Sequence, residues 1–370
     1  MKRHTKIIAT LGPASENKST LKALVKAGMN VARLNCSHGN QDQFKTMVER
    51  LQEIEKETGK NILILLDLQG PKIRLGAIPP EGIAVERDQI LKFWTGKNVK
   101  KIRKDVLIPI PYPSLLELMK PEQKLLIEDG LIRTKILFIK NGTIHAQVEV
   151  GGLLKRNKGV NIPDSTLPSS ETLSKKDRAD LHFGIKVLKV DAVALSFVEK
   201  PEDLIRLRSL IKRWTKKPVF LIAKIERPKA LTKLREIAIA SDALMVARGD
   251  LGIETPAEQV PLEQRRIVAL ARELNKPVIV ATQVLESMVK NPLPTRAEMS
   301  DAATAIFEQA DAIMLSEETA MGKYPVEAVR TLAKVATVTE RAMKTSAFWE
   351  QATLPHSSKS HVGDRIWKSC

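Results

Sequence analysis

The chain alternates short, almost continuous apolar runs with longer amphipathic stretches. Eight of the apolar runs have the length and composition of strands: TKIIATLGP, NVARLN, NILILLDL, AVALSFV, PVFLIAKIE, ALMVARGDL, PVIVATQ and AIMLSEE. Strands with so little polar interruption are typical of parallel sheets that are covered on both faces. Eight such strands separated by helical patterns predict an α/β fold, a parallel (β/α)8 TIM barrel, rather than an open sheet.

The amphipathic stretches carry residues that favour helix ends. Ser19 is expected to begin the helix STLKALVKAG and Gly28 to end it, while DQFKTMVERLQEIEKETG is expected to end at Gly59. Further along, Ser174 is followed three residues later by Asp177. That spacing predicts a capped helix start in SKKDRADLHFGIKVL.

The alternation of strands and helices stops between about Lys72 and Asn161, where no long amphipathic stretch occurs. The segment KILFIKNGTIHAQVEV alternates apolar and polar residues on either side of Asn141-Gly142, which predicts a β-hairpin. We therefore predict a small β-rich, barrel-like domain at residues 72–161, inserted after the third barrel strand. The barrel would comprise residues 1–71 and 162–345.

Composition narrows the classes of function. The 370 residues include only two cysteines, Cys36 and Cys370, which suggest neither a disulfide framework nor a zinc site. No apolar run reaches the length of about 20 residues that a membrane span needs. The net charge of +17 is spread along the chain, and aromatic residues make up only 4%, so a nucleic-acid partner is disfavoured. We expect a soluble, cytoplasmic protein without a membrane partner.

Polar residues stand where the predicted strands end, which is where barrel enzymes place their active sites. They are Arg33, Asn35, Ser37, Asp67, Ser196, Lys224, Glu226, Arg248, Asp250, Thr282, Ser316 and Glu317. Solvent exposure alone would explain a single residue such as Ser196. It explains Lys224 poorly, because a charge directly against an apolar run requires partners.

Glu226 and Asp250 follow the fifth and sixth predicted strands, which are neighbours in a barrel. Two carboxylates without a nearby histidine or cysteine suit a hard cation such as magnesium. Ordinary ion pairs with Lys224 and Arg248 would explain them equally well. The stretch RGDLGIE also has the pattern of a tight turn entering a helix, whose free N–H groups could hold an anion.

Taken together, several motifs resemble the pyruvate kinase family in sequence and in order. They are NVARLNCSHG, LDLQGPKIRLG, NKGVNIPD, AKIERP, MVARGDLGIE, VIVATQVLESM, PLPTRAEMSD and IMLSEETAMGKYPVEAV. The resemblance runs to about residue 345. It implies a barrel domain, an inserted lid domain, and the glycolytic transfer of a phosphoryl group from phosphoenolpyruvate to ADP, giving pyruvate and ATP with Mg²⁺ or Mn²⁺.

The resemblance also assigns roles to single residues. Arg33 and Lys224 would hold the transferring phosphoryl group, Glu226 and Asp250 would bind magnesium, and Thr282 would lie near the carbon that gains a proton. The substrate carboxylate would be bound by backbone at Gly249 and Asp250 and by the Thr282 hydroxyl. The residues expected to face the nucleotide are Asn35, Ser37, His38, Arg74 and Lys158.

One group of positions departs from the family pattern. Most members bind potassium through the equivalents of Asn35, Ser37, Asp67 and the residue at position 68, with a glutamate at position 72. This chain has Leu68, Gln69 and Lys72 instead. We expect the Lys72 ammonium to lie near Asp67 and to supply the charge that potassium would bring.

The family continues into a C-terminal domain that carries effector sites, whereas this sequence stops at residue 370. Residues 346–370 would then be the linker and the start of that domain, and we expect no effector activation. The resemblance leaves a homodimer through the barrel open and makes a tetramer doubtful.

Two other functions compete with this interpretation. A magnesium-dependent barrel lyase or aldolase acting on pyruvate-like enolates could use KIE and RGDLG, although the inserted domain and the motifs NCSHG and GPKIR argue against it. A catalytically silent, basic nucleic-acid-binding protein would have damaged catalytic positions, and none is damaged.

Overall fold

The computed structural model describes residues 3–97, 99–102, 105–166, 168 and 172–345. Three parallel strands and two helices form the first part of the chain: β1 (Lys6–Thr10), α1 (Lys18–Ala27), β2 (Val31–Asn35), α2 (Gln41–Thr58) and β3 (Leu63–Asp67). Each strand is apolar and almost completely buried. The predicted segment 346–370 lies outside the described residues.

The chain then leaves the barrel and forms a mainly antiparallel β structure. Its elements are β4 (Ile83–Val85), β5 (Ile90–Trp94), β6 (Lys100–Ile102), β7 (Asp105–Pro109), α3 (Leu115–Leu118), β8 (Lys124–Ile127), β9 (Ile132–Lys140), β10 (Thr143–Val150), β11 (Gly152–Leu154) and β12 (Val160–Asn161). Seven strands form one sheet in the order β12-β8-β9-β10-β5-β7-β6, and β4 pairs with β11. Phe93, Ile136 and Ile144 are fully buried in a core of this insert's own.

The predicted hairpin joins β9 to β10 in this insert. Asn141 and Gly142 both have positive φ, 50° and 71°, as the tight turn between twisted antiparallel strands requires. The pairing of Thr143 with Lys140 places these two residues at the turn, which confirms the predicted hairpin.

The remaining elements complete the barrel. They are α4 (Lys175–Phe183, followed by a π-helical turn at Gly184–Leu188), β13 (Ala192–Leu195), α5 (Pro201–Trp214), β14 (Phe220–Ile225), α6 (Pro228–Thr232), α7 (Leu234–Ala240), β15 (Ala243–Ala247), α8 (Arg248–Glu254), α9 (Val260–Glu273), β16 (Val278–Ala281), α10 (Arg296–Phe307), β17 (Ala312–Leu315), α11 (Glu317–Ala320) and α12 (Pro325–Thr345).

Eight strands close into a parallel barrel in the order β1-β2-β3-β13-β14-β15-β16-β17, with β17 pairing with β1. The barrel interior is apolar and dry: Ile8, Leu65, Met245, Ile279 and Met314 are at most 1% exposed and pack together. A larger apolar layer lies between the strands and the surrounding helices. The eight strands predicted from the apolar runs are therefore confirmed, whereas the exact domain boundaries stay a prediction.

Carboxylates at the amino ends of three strands tie neighbouring strands together. Asp191, Asp242 and Asp311 each accept a backbone N–H from the adjacent strand, at 2.9, 2.8 and 2.9 Å. Each of them precedes an alanine that begins a strand. These bonds stabilise the end of the barrel that is opposite the polar strand ends.

The helix ends agree with most of the sequence signals. Gly28 and Gly59 end α1 and α2, and Ser174 forms the predicted capping box with Asp177. Ser19 is wrong as the start of α1, because the helix begins after Asn17, whose side chain accepts the Thr20 N–H. Within the described residues, no helix is long and apolar enough to cross a membrane.

Candidate active site

Two cations at the carboxyl ends of β2 and β14 share one carboxylate. Asp67 accepts hydrogen bonds from Arg33 through Oδ2, with Nε and Nη2 both at 2.7 Å, and Lys224 Nζ lies 3.3 Å from its Oδ1. All three side chains are buried, with Asp67 only 1% exposed. Burial would raise the pKa of the Asp67 carboxyl, but Lys224 and Arg33 hold it below its ordinary value.

Lys224 makes two further contacts at the end of β14. Its Nζ donates to Ser196 Oγ at 2.7 Å and lies 2.7 Å from Glu226 Oε1. Burial alone would lower the pKa of the ammonium, but the neighbouring carboxylates, Asp67 first, outweigh burial and raise the pKa above its ordinary value. Lys224 is therefore a fixed positive charge at the barrel rim.

Arg33 is oriented by a second contact inside the barrel rim. Its Nη1 donates to Thr10 Oγ1 at 2.8 Å, and that hydroxyl donates to the Leu315 carbonyl at 2.8 Å. The guanidinium is thereby fixed between β1 and β3. Arg33 and Lys224 form a rigid cationic pair, which is the arrangement that a transferring phosphoryl group requires.

Glu226 and Asp250 are the two candidate metal ligands. Glu226 Oε2 accepts the Phe197 N–H at 2.7 Å, whereas Oε1 forms the 2.7 Å ion pair with Lys224 Nζ. Burial raises the pKa of the Glu226 carboxyl above its ordinary value, although Lys224 opposes this shift. Asp250 lies in the first turn of α8 and raises the Glu226 pKa further, which places the two carboxylates in electrostatic contact.

This donor set fits a magnesium-like ion. Oxygen ligands from one or two carboxylates, completed by substrate and water, are what Mg²⁺ takes in phosphoryl-transfer sites. Among the described residues, no group of three histidine, cysteine, aspartate or glutamate side chains could hold a metal. Of the two alternative ion pairs, Glu226 does contact Lys224, but Arg248 pairs with Asp301 at 2.8 Å and not with Asp250.

Thr282 has an unusual backbone conformation just beyond β16. Its φ is +67°, which is a genuine outlier for a β-branched residue. Arg248 holds it there by donating from Nη2 to the Thr282 carbonyl at 2.7 Å, while Asp301 fixes the same guanidinium. Strain of this kind costs about 1–3 kcal/mol and persists at functional sites.

The Thr282 hydroxyl already has partners in this structure. Its Oγ1 accepts the Gly249 N–H at 2.8 Å and donates to the Ala281 carbonyl at 2.6 Å. Gly249 and Thr282, both expected to bind the substrate carboxylate, are thus joined directly to each other.

A cleft of about 400 Å³ lies between the barrel rim and the insert. Its walls include Arg74, Lys158 and Asp250. Arg74 Nη1 donates to the Asn157 carbonyl at 2.7 Å, and Lys158 Nζ forms a 2.5 Å ion pair with Glu128. With Lys72, which also lines the cleft, the insert contributes three cations to it, and one of them, Lys158, is paired with a carboxylate.

The other expected nucleotide residues lie at the end of β2 and in the loop that follows it. Asn35 Oδ1 accepts the Ser37 N–H at 3.1 Å, so the two residues form one turn. Burial, together with the charges of Lys72 and Arg74, lowers the pKa of the His38 imidazole. The imidazole therefore lies within the electrostatic influence of these two cations.

Lys72 is the residue expected to lie near Asp67. The ion pairs of Asp67 in the described part of the chain are with Arg33 and Lys224, and none is with Lys72. Desolvation and the nearby Arg74 lower the Lys72 pKa, while the carboxylates that act on it are Asp250 and Glu226. The described residues thus show no Lys72–Asp67 ion pair, and the replacement of potassium by Lys72 stays a prediction.

Leu68 is directed away from the cleft. It is 1% exposed in the barrel core, and its carbonyl accepts the Ser196 hydroxyl at 2.7 Å. Only backbone at this position could face a cation. The other expected ligands of a monovalent ion, Asn35, Ser37 and Asp67, already have the partners described above.

Sequence reasoning missed several residues that orient the site. Thr10 orients Arg33, Asp301 orients Arg248, and Glu128 holds Lys158. Ser196 was attributed to simple exposure, yet it is 2% exposed and contacts Lys224. The position of Ser196 at the end of a predicted barrel strand was the feature of the sequence that could have indicated its place in the site.

The barrel region matches a known family. A family model described as pyruvate kinase, barrel domain, matches residues 2–329. The chain belongs to the pyruvate kinase family. Its apolar barrel, inserted β structure and polar rim are the family's features in this chain.

Individual members of the family are similar over most of the chain. The pyruvate kinase of Methylorubrum extorquens is 42% identical over 97% of this chain and 73% of its own length. That of Geobacillus stearothermophilus is 42% identical over 100% of this chain and 62% of its own length. That of Thermotoga maritima is 39% identical over 92% of this chain and 72% of its own length. The chain thus corresponds to roughly two thirds to three quarters of these relatives.

Proposed function

We propose that this chain transfers the phosphoryl group of phosphoenolpyruvate to ADP, giving pyruvate and ATP. The observation that carries the proposal is the buried Asp67 carboxylate, which holds Arg33 and Lys224 side by side at the barrel rim. Phosphoryl transfer needs little covalent chemistry from the protein and depends on positioned positive charge. Relatives 39–44% identical carry the name pyruvate kinase.

The substrate would bind at the rim with its phosphoryl group against Arg33 and Lys224. Its carboxylate would face the first turn of α8 and the Thr282 hydroxyl, which would donate to the substrate instead of to the Ala281 carbonyl. Because the Lys224 ammonium is anchored by Ser196 and Glu226, it can stabilise developing charge without reorganisation. The structure assigns no proton donor for the enolate.

Glu226 and Asp250 would hold Mg²⁺ or Mn²⁺. When bound, the ion supplies positive charge that neutralises phosphoryl and carboxylate oxygens. The protein's part is to orient Glu226 through the Phe197 N–H and to hold its Oε1 beside the Lys224 ammonium. Both carboxylates belong to elements that leave the same end of the barrel.

ADP would enter the cleft between the rim and the insert. Arg74 and Lys158 line this cleft, Asn35 ends β2, and Ser37 and His38 lie in the loop after it. Closure of the insert over the nucleotide would exclude water, which otherwise competes as the phosphoryl acceptor. The insert would therefore act as a lid.

We also propose that activity does not depend on potassium. The support is a positive charge at position 72 that is built into the cleft and that acts on Asp250 and Glu226. A free cation near this ammonium would be repelled. Pairing of two copies through the barrel remains a prediction that light scattering on purified protein can check.

The decisive experiment compares Lys224→Met with the unmodified chain in an assay that couples pyruvate formation to a second reaction. We expect turnover only with Mg²⁺ or Mn²⁺, and a loss of about 10²–10³-fold in the variant, as for removal of one charge-stabilising donor. Lys217→Met is the matched control, because Lys217 pairs with Asp191 at the opposite end of the barrel. Near-normal turnover of Lys224→Met would refute the proposal.

Assays of the same purified protein distinguish phosphoryl transfer from the competing lyase or aldolase activity. A lyase or aldolase would release or consume pyruvate from a carbon–carbon bond without ADP. Product formation from phosphoenolpyruvate that requires ADP supports phosphoryl transfer. Pyruvate formed from other 2-oxo acids in the absence of ADP would favour the lyase instead.

A further inference from the structure

Arg227 is the largest fully buried side chain of the described residues, at 1% exposure, and it directly follows Glu226. Its Nε donates to Glu254 Oε2 at 2.9 Å, and its Nη1 donates to Glu199 Oε1. Glu254 ends α8, and Glu199 lies in the loop after β13. The Arg227 guanidinium therefore links the segments that follow β13 and β14 to the end of α8.

The third nitrogen of Arg227 binds the chain as it returns from the insert. Nη2 donates to the Ile162 carbonyl at 2.6 Å and to the Ser165 carbonyl at 3.1 Å. A second contact reinforces the first, because Asn161 Nδ2 donates to Glu254 Oε1 at 3.1 Å. We call residues 157–166 the return segment.

The return segment contains Lys158 and is hydrogen-bonded to the segment that contains Arg74, the two cations of the insert that are expected to face the nucleotide. Lys158 is only four residues from Ile162. The Leu75 N–H donates to the Lys158 carbonyl at 2.9 Å, and the Val160 N–H donates to the Ile73 carbonyl at 2.9 Å. The outgoing segment that contains Arg74 is thus bonded to the return segment, and whatever fixes the return segment fixes both.

Charge and geometry make a guanidinium the suitable group here. Two buried carboxylates and two buried carbonyls surround Arg227, and a planar group with five N–H donors can serve all four at once. A lysine would keep the positive charge but could not donate in four fixed directions. None of the four hydrogen bonds that Arg227 donates within the described part of the chain involves Arg33, Lys224 or their shared Asp67.

We propose that Arg227 is a positioning residue that fixes the return segment to the barrel rim, so that Arg74 and Lys158 face the nucleotide cleft. The proposal rests on the proposed function for its link to ADP. It requires that the barrel alone binds phosphoenolpyruvate and that the insert contributes only to nucleotide binding. Loss of the Arg227 bonds to the return segment should therefore weaken the binding of ADP and leave the binding of phosphoenolpyruvate unchanged.

Steady-state kinetics of Arg227→Lys, with each substrate varied, test the split. We expect KM for ADP to rise about tenfold or more, as expected when a productive geometry is lost, while KM for phosphoenolpyruvate changes less than about twofold. Arg235→Lys is the control, because Arg235 is an exposed arginine that pairs with Glu273 on the outer helices. Equal effects on both substrates, or no effect on ADP, would overturn the proposal.

Asn161→Ala provides a second variant if Arg227→Lys does not fold. It leaves Arg227 and both carboxylates in place and removes only the insert's bond to Glu254. We expect a smaller rise of KM for ADP, about threefold, with KM for phosphoenolpyruvate unchanged. An unchanged KM for ADP in this variant would count against the proposal.

Amide hydrogen exchange tests the same contact without any turnover. Arg227→Lys should accelerate exchange in peptides covering residues 157–166 and 71–76, because the two segments are bonded to each other, and should leave the central barrel strands unchanged. If the unmodified chain lacks activity, the proposed function fails while this result still decides the positioning role. Unchanged exchange in both peptides would overturn it.

Discussion

The Lys224 ammonium lies 3.3 Å from Oδ1 of Asp67, and both side chains are buried at the barrel rim. Asp67 is therefore the counter-charge for the candidate catalytic lysine, and Arg33 occupies its other oxygen. A buried pair contributes little over an apolar replacement, but removing one partner leaves the other charge uncompensated. The site thus depends on this carboxylate although Asp67 need not touch the substrate.

Asp67→Asn keeps the shape of the side chain and removes its charge. We expect the free energy of unfolding to fall by about 3–5 kcal/mol, because two cations lose their shared anion in a buried site. Turnover should fall as well, since Lys224 and Arg33 are no longer held in one geometry. Urea unfolding and the coupled assay measure the two effects.

Asp242→Asn is the comparison for that variant. Asp242 also accepts a backbone N–H at a strand end, and it pairs with half-buried Arg208 at the opposite end of the barrel. A smaller loss of stability with normal turnover is expected. Equal behaviour of the two variants would show that Asp67 acts only as a structural residue.

Thr282 offers a test of strain at the site. Thr282→Ser keeps the hydroxyl that accepts the Gly249 N–H, and Thr282→Val keeps the shape without it. We expect the serine variant to retain turnover within about fivefold and the valine variant to lose about 10²-fold or more, in line with the loss of one positioned polar contact. Comparable activity of the two variants would remove the hydroxyl from the mechanism.

The apolar runs predict the barrel well because each strand is buried on both faces and leaves a continuous signal in the sequence. The polar strand ends identify most of the rim for the same reason, since a barrel gathers its strand ends. The sequence cannot pair side chains that come from distant strands, so the Asp67–Lys224 contact was not predicted. The same limit explains why the sequence could not decide whether Lys72 pairs with Asp67, whose ion pairs in the described residues are with Arg33 and Lys224.

Arg227 shows a different limit. In AKIERP it stands among charged neighbours and has the composition of an exposed turn, yet the insert's return segment covers it completely. Burial of this kind depends on how two parts of the chain meet. Hydrophobic periodicity carries no information about such a contact, and neither does the family resemblance at this position.

Glu128 holds the nucleotide-facing Lys158 in a 2.5 Å ion pair. Because this pair is partly exposed, we expect Glu128→Gln to leave stability within about 1 kcal/mol of the unmodified chain. The freed ammonium should bind ADP phosphates more readily, which would lower KM for ADP a few-fold. Initial-rate measurements with ADP varied check the effect.

The insert supplies a matched control for this variant. Glu122 and Lys135 also form a 2.5 Å ion pair, and neither residue lines the cleft. Glu122→Gln should leave KM for ADP unchanged. A raised KM in Glu128→Gln would mean that Glu128 orients Lys158 for binding rather than competing with the nucleotide.

Lys72 is the residue from which we predict that turnover does not depend on potassium. The carboxylates that interact electrostatically with its ammonium are Asp250 and Glu226. An ammonium tethered in the cleft brings a positive charge without a free ion and repels one that approaches. In buffer whose only monovalent cation is a bulky organic ion, turnover should equal that with potassium, and Lys72→Glu should create a potassium requirement. Lys45→Glu makes the same charge change on the exposed face of α2 and should leave the response unchanged. A fall of about tenfold in the unmodified chain, equivalent to some 1.4 kcal/mol of barrier, that potassium restores would contradict the proposal.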